Sequence, residues 1–170
     1  MKKALLVYSS VDGQTKKICE VIKSHAENHE VDIIPISKIE NIEPYQVVII
    51  GASIRYGKYR DEVFNFIDSN KAILDMQENA FFSVNVVARK KGKDEPDTNS
   101  YVIKFLNQTN WKPKKVDVFA GKIDYPKYKI FDKFAIKFIM WVTKGPTDTS
   151  QSYEFTDWER VKIFTNSLNL

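Results

Sequence analysis

The sequence predicts an α/β protein: a doubly wound, five-stranded parallel sheet in one domain, residues 1–170, with an amphipathic insert before the last helix. Short apolar runs alternate with segments of helical period, which is the pattern of βαβ units. The length of 170 residues fits about one domain. The 43% apolar and 28% charged content is typical of globular rather than disordered or fibrous proteins. A single cysteine excludes a disulfide framework and suits a reducing compartment.

Five apolar runs predict the strands. The first is apolar throughout, as a strand buried on both faces requires. The second carries Asp32 and Pro35, which favours a place near the sheet edge, and the third ends at Gly51. The predicted strands are Ala4–Tyr8, Val31–Ile36, Val47–Ile50, Ala80–Val87 and Val116–Ala120.

Four segments with apolar residues three and four positions apart predict helices. The first runs from Thr15 to about Asn28. The second begins at Asp61, which can cap it, and the third covers Asn99–Thr109. The last opens at the run Thr156-Asp157-Trp158-Glu159, which matches a capping box. Right-handed crossovers then place helices on both faces of the sheet.

In such sheets, ligands bind outside the carboxyl ends of the strands, at the topological switch point. The loops that follow strands one, three and four therefore form the predicted site. These loops are Ser9–Thr15, Ala52–Tyr59 and Ala88–Thr98.

The first loop has the groups that a phosphate needs. Ser9, Ser10 and Thr15 offer hydroxyl donors, and Gly13 permits a tight turn. The helix N-terminus that follows favours an anion. The loop lacks the glycine-rich motifs of dinucleotide sites and of the P-loop. The alternative is an N-cap turn without a ligand.

The second loop and the fourth strand add groups suited to a flat ring. Tyr56, followed by Gly57, can stack on a ring face, and Arg55 can face an anionic substrate. The alternatives are a surface aromatic residue and a surface ion pair. Asn85 interrupts an apolar strand, so its amide satisfies either the polar edge of a ring or the backbone of a neighbouring loop. Arg89 follows near the strand end.

About 35 residues, Gly121–Phe155, separate the fifth strand from the last helix. Their centre, Ile130–Lys144, plots as a helix with aromatic residues on one arc and lysines opposite; Ile136 and Met140 are exceptions within the polar arc. Residues 112–144 contain nine lysines and three aspartates, a local charge of +6. This profile is typical of a helix that lies in an anionic membrane interface and is too short to span it. Docking on its own domain and a dimer face are the alternatives. The predicted membrane contacts are Phe131, Phe134, Phe138 and Trp141.

Several runs together resemble a known family. The most specific is Gly51-Ala52-Ser53-Ile54-Arg55-Tyr56-Gly57, and the resemblance covers nearly the whole chain. The sequence resembles the flavodoxin-like proteins that bind FMN, and among them the bacterial menaquinone-dependent protoporphyrinogen IX dehydrogenase family. The other matching runs are residues 12–15, 83–85, 87–90, 98–101, 125–126, 132–134, 139–140, 147–149 and 156–158.

The resemblance implies strand order 2-1-3-4-5 and FMN-dependent oxidation of protoporphyrinogen IX to protoporphyrin IX in heme and porphyrin biosynthesis, with menaquinone as acceptor. Flavin N5 carries the chemistry, so no catalytic side chain is assigned. The implied substrate contacts are Arg55, Arg89, Tyr125, Lys127 and Lys129. The implied FMN contacts are Ser9, Ser10, Val11, Asp12, Gly13, Gln14, Thr15, Ala52, Ser53, Ile54, Arg55, Tyr56, Gly57, Asn85, Val86, Val87, Ala88 and Arg89.

The alternative functions are a flavodoxin-type electron carrier, an FMN quinone reductase without porphyrinogen activity, and a non-enzymatic binding module. We expect no nucleic-acid partner, because the lysines lack a recognised motif. We expect no metal, since His25 and His29 lack a third ligand. The sequence leaves the oligomeric state undecided, with a homo-oligomer as one alternative. The expected location is the cytoplasm, at the inner face of the cell membrane.

Overall fold

The computed structural model describes residues 2–170. Five strands form one parallel sheet in the order β2-β1-β3-β4-β5, which confirms the predicted class and topology. The register pairs Leu6 of β1 with Ile33 and Ile49 on either side. The strands are β1 (Lys2–Ser9), β2 (His29–Pro35), β3 (Val47–Ser53), β4 (Glu78–Val84) and β5 (Lys115–Phe119).

Helices cover both faces of this sheet because each carries one apolar face. On one face, residues of α2 and α3 pack against alternate strand residues around Phe81 and Trp111. On the other face, α1 and α5 pack around Leu6 and Phe82. The helices are α1 (Gln14–Ser24), α2 (Asp61–Met76), α3 (Ser100–Gln108), α4 (Ile130–Val142) and α5 (Trp158–Leu168).

Two strand ends differ from the prediction for identifiable reasons. β3 continues through Gly51 instead of ending there. Glycine is needed at this strand position because a side chain would collide with the ring of Phe82. β4 ends at Val84 rather than Val87, since residues 86–89 turn into a 3₁₀-helix. The side chain of Asn85 caps that turn by accepting the Ala88 N–H.

Two helix starts also differ. Asp61 is the first residue of α2, not its cap; Arg60 takes the cap position. At α5 the cap is Asp157, whose carboxylate accepts the Arg160 N–H at 3.0 Å. Thr156 donates to the Ala120 carbonyl at 2.8 Å instead.

The insert contains the predicted helix α4 and a small hairpin that the sequence did not predict. The antiparallel strands β6 (Lys122–Asp124) and β7 (Ser152–Glu154) pair at its two ends. Beyond the hairpin, the Phe155 N–H donates to the Gly121 carbonyl at 3.0 Å. The insert therefore leaves and re-enters the domain at a single place.

Candidate functional site

A pocket lies at the carboxyl ends of the parallel strands, where the three predicted loops meet the insert. Its enclosed volume is about 180 Å³, and it opens to solvent. The core supplies residues from the three loops, and α4 supplies one wall. Among the predicted FMN contacts, Ser9, Gly13, Ala52 and Ala88 do not line this pocket, whereas the other fourteen do.

The first loop forms a tight turn at the start of α1. Gly13 adopts φ +85° and donates its N–H to Ser10 Oγ at 3.0 Å. No side chain of residues 2–170 caps α1, and its first turn has no acidic residue. The unpaired N–H groups of this turn favour an anion such as a phosphate.

The strongest evidence that this turn accepts a ligand is the hydroxyl of Thr15. Thr15 is fully buried and lines the pocket, yet its Oγ1 has no hydrogen-bond partner in the described part of the chain. A buried polar atom without a partner is costly, and a ligand phosphate would satisfy it. The residues present therefore fit the phosphate of FMN.

Two other polar residues of the first loop serve the protein itself. Ser9 donates its hydroxyl to Glu62 of α2. Gln14 donates to Thr156 at 2.9 Å and to Glu154 at 3.1 Å. Gln14 thereby joins the phosphate turn to the returning strand of the insert.

In the second loop, Arg55 lies between two carboxylates. Its guanidinium donates to Asp12 at 3.0 Å and to Asp132 of α4 at 3.1 Å. The Tyr56 hydroxyl also donates to Asp132. The rings of Tyr56 and Tyr128 each lie 5.3 Å from the guanidinium carbon. Arg55 thus forms ion pairs, as one of the sequence alternatives held, but within the pocket.

Burial raises the pKa of the Asp12 carboxyl, against the lowering effect of Arg55; Asp132 and Asp124 raise it further by repulsion. Asp12 and Asp132 therefore share one guanidinium in the pocket, while Asp124 pairs with Lys122 and Lys127.

Asn85 belongs to a buried network of polar side chains. It donates to Ser83 Oγ at 2.9 Å, which also accepts the Tyr59 hydroxyl at 2.7 Å. The Asn85 carbonyl accepts from Ala88 and from Asn99, the cap of α3. The partners of the Asn85 side chain are therefore other side chains and the turn that it caps, not the backbone of a neighbouring loop.

Arg89 fastens the carboxyl end of α4. Its guanidinium donates to the Val86 carbonyl at 3.0 Å, to the Thr143 hydroxyl at 2.9 Å and to the Thr143 carbonyl at 3.2 Å. Burial lowers its pKa. Arg89 lines the pocket from this position.

The three other predicted substrate contacts lie outside the pocket lining. Tyr125 is fully buried, and its hydroxyl donates to the Pro146 carbonyl at 2.8 Å, so it packs within the insert rather than facing a ligand. Lys127 pairs with Asp124 at 3.3 Å, and Lys129 is exposed at the start of α4.

Helix α4 has two different faces. The side toward the pocket carries Ile136, Met140 and Thr143, together with Ala135 and Ile139. The opposite side is apolar and exposed: Phe131 is 85% exposed and Trp141 67%, and Phe134 and Phe138 are also exposed. The helix therefore docks through Ile136 and Met140, the two exceptions in its polar arc, and leaves its aromatic arc free.

Sequence reasoning missed Asp132 and Thr143, whose partners are the two pocket arginines. It also missed Tyr101 and Tyr128 in the lining. The apolar Ile136 and Met140 among lysines were the one available signal that α4 covers a site.

No helix within residues 2–170 is both long and apolar enough to cross a bilayer. Over the same range, no group of three or more His, Cys, Asp or Glu side chains could hold a metal ion.

Comparison with known proteins gives a consistent result. A flavodoxin domain model matches residues 5–150. The protoporphyrinogen IX dehydrogenase (quinone) of Escherichia coli K12 is 40% identical over 98% of this chain and 94% of its own length. The protein of that name from Leishmania major is 41% identical over 96% of this chain and 73% of its own. Oxidised flavodoxin 1 from Bacillus cereus shares the fold, with a TM-score of 0.56, 16% identity and coverage of 98% and 97% of the two chains.

Proposed function

Because the chain belongs to the flavodoxin-domain family that includes the protoporphyrinogen IX dehydrogenases, we propose that it oxidises protoporphyrinogen IX to protoporphyrin IX with bound FMN. The proposed electron acceptor is a membrane quinone, menaquinone, and the proposed role is in heme biosynthesis. The observation that carries the proposal is the 40% identity over 98% of the chain, since this span includes the insert as well as the sheet.

The first loop holds the FMN phosphate through the Ser10 and Thr15 hydroxyls and the N–H groups that begin α1. The loop of Tyr56 and the 3₁₀ turn of residues 86–89, which Asn85 caps, would hold the flavin ring. FMN supplies the redox chemistry that links a porphyrinogen to a quinone. Helix α4 gives the pocket an apolar wall.

The substrate carries carboxylates on an otherwise apolar macrocycle. Arg55, Arg89 and Lys122 are the cations that line the pocket, and Lys127 and Lys129 lie on the insert outside the lining. Ile136, with Ile139 and Met140, offers an apolar surface to the macrocycle. Arginine suits this role because its planar fork binds carboxylates in a fixed geometry.

The aromatic arc of α4 is proposed to lie in the membrane interface, where it gives access to a lipophilic quinone. Its exposed rings bury area among the acyl chains, while the lysines of the insert attract anionic lipid. Such a contiguous exposed apolar surface is typical of an interaction site.

The test of the function is anaerobic incubation of the FMN-loaded protein with protoporphyrinogen IX and a menaquinone analogue, followed by porphyrin fluorescence. We expect fluorescence that depends on both the quinone and the flavin and that exceeds enzyme-free oxidation. Bound flavin without porphyrin formation would move the function to an electron carrier or a quinone reductase.

The test of the membrane role is a variant with Phe131, Phe134, Phe138 and Trp141 all changed to Ser. We expect it to lose sedimentation with anionic liposomes and to retain FMN. The control changes Met76 and Ile163, exposed apolar residues outside the insert, to Ser. Liposome binding that persists in the first variant contradicts the membrane role. If the parent protein is a dimer and the variant is a monomer, the aromatic arc of α4 mediates self-association instead.

A further inference from the structure

The pocket arginine of the second loop already holds two carboxylates. Arg55 binds Asp12 and Asp132 at once, and its side chain is only 17% exposed. The two tyrosine rings at 5.3 Å hold the guanidinium in place. A carboxylate of any ligand therefore meets an arginine whose two terminal nitrogens each already donate to an acid.

The two carboxylates on Arg55 are not equivalent. Asp12 belongs to the phosphate turn of the core, beside the bound cofactor's proposed anion. Asp132 belongs to the first turn of α4, and its partners in the described part of the chain are Arg55 and Tyr56, both in the second loop. Asp132 is thus the link by which the amino end of α4 holds to the core, as Thr143 is at the other end.

Adding a third carboxylate to this cluster is unfavourable. Asp12 already experiences repulsion from both Asp132 and Asp124, and a further carboxylate at Arg55 would add to it. Lys122, the pocket lysine, is already paired with Asp124 at 3.4 Å. An incoming carboxylate must therefore replace one of the two acids. Asp132 is the one whose release moves only the insert.

On the basis of the proposed function, we propose that Asp132 is a specificity-determining residue that occupies the place of a substrate carboxylate. A propionate of the tetrapyrrole takes over Arg55 from Asp132, and the amino end of α4 is freed as the substrate enters. A tetrapyrrole without a free carboxylate has no need of this exchange, so Asp132 weakens the binding of the acid and leaves that of the ester unchanged.

The experiment compares protoporphyrin IX with its dimethyl ester, by porphyrin fluorescence polarisation with the FMN-loaded protein at fixed detergent concentration. In Asp132→Asn, we expect the dissociation constant of the acid to fall about five- to tenfold, the scale of a charge-assisted contact that no longer has to be broken. The dissociation constant of the ester should change by less than about twofold, since the ester makes no such contact.

Two matched variants control the charge. Asp132→Glu keeps the competing carboxylate and should bind the acid as the parent protein does. Asp148→Asn removes an exposed acid elsewhere in the insert and should change nothing. Acid affinity in Asp132→Asn that is unchanged or weaker overturns the inference while leaving the function intact. A parent protein that binds neither porphyrin overturns the substrate assignment, and this inference with it.

A second readout uses the parent protein and does not depend on a variant that folds. Trypsin should cut after Lys129 and Lys133 faster when the acid is bound than when the ester is bound, because only the acid frees the amino end of α4. Equal rates with the two porphyrins contradict the exchange.

Discussion

The sheet and the insert use the same residue types in opposite ways. In the sheet core, Phe81, Phe82 and Phe105 are fully buried and in contact with other rings. In α4, Phe131 and Trp141 lie mostly in solvent. The aromatic residues of the core stabilise the fold by being buried, whereas those of the insert form an exposed surface that can contact another molecule.

The insert is attached to the core by an apolar cluster in which Met140 and Ile136 pack with Val86, and by a polar contact at each of the three loops that form the pocket. Asp132 binds Arg55, Thr143 binds Arg89, and Glu154 binds Gln14. A change in any of these loops is therefore felt by the insert, while the sheet beneath stays fixed.

The largest expected difference between the two regions is in the free energy of unfolding. Phe82→Ala should lower it by about 3–5 kcal/mol, because the ring is fully buried. Phe138→Ala should change it by less than about 0.5 kcal/mol, because that ring is exposed. Urea denaturation of the two variants measures both values. Similar losses would show that α4 packs against something within the chain.

A smaller effect separates ligand binding from stability at the edge of the core. Thr15→Val should weaken FMN binding by about 1.5–3 kcal/mol, the value of a hydrogen bond to a charged group. It should not destabilise the flavin-free protein, because the Thr15 hydroxyl has no partner there to lose. Flavin fluorescence titration and thermal unfolding of the flavin-free form measure the two effects, with Thr15→Ser as the control that keeps the hydroxyl. A destabilised flavin-free variant would mean that the hydroxyl has a structural role.

At the joint between the two regions, Arg89→Lys should loosen α4 without affecting the sheet. Lysine cannot reproduce the fork that contacts Val86 and Thr143, and we expect a loss of about 1 kcal/mol in the local opening free energy. Hydrogen exchange should show faster exchange in residues 140–143, with the amides of β3 as the unchanged reference. Faster exchange in β3 as well would indicate global rather than local destabilisation.

The smallest effect concerns the one native thiol. Burial raises the pKa of Cys19 on α1, with a minor contribution from the Glu20 charge, so the thiol stays protonated and shielded. We expect no reaction with a thiol reagent in the native protein and one equivalent after denaturation. In Phe138→Cys the new thiol should react at once. Native labelling at Cys19 would contradict a closed core.

Much of the fold is readable from the sequence because buried parallel strands are continuous apolar runs. The same reasoning misplaced the end of β4, since Val86 and Val87 are apolar but belong to a turn that Asn85 caps. The three-residue strands of the insert are too short to show any period.

The pocket was predictable because loops at strand ends converge whatever their sequence. The partners of Arg55 were not, since Asp12 and Asp132 lie 43 and 77 residues away along the chain. A local pattern reports a side chain's chemistry, and only the folded chain decides which opposite charge it meets. The sequence predicted the aromatic arc of α4. The side on which the helix docks was indicated only by Ile136 and Met140 within the polar arc.

The hydrogen bond between Phe155 and Gly121 gives the fold a modular character. Because the two ends of the excursion are neighbours, its length can change without stretching the sheet or adding much closure entropy. A chain in which a short turn joins these two residues should still assemble the five-stranded scaffold. The same junction would accept an insert of different sequence and length. A common electron-transfer scaffold can therefore acquire another substrate specificity when this one insert is replaced.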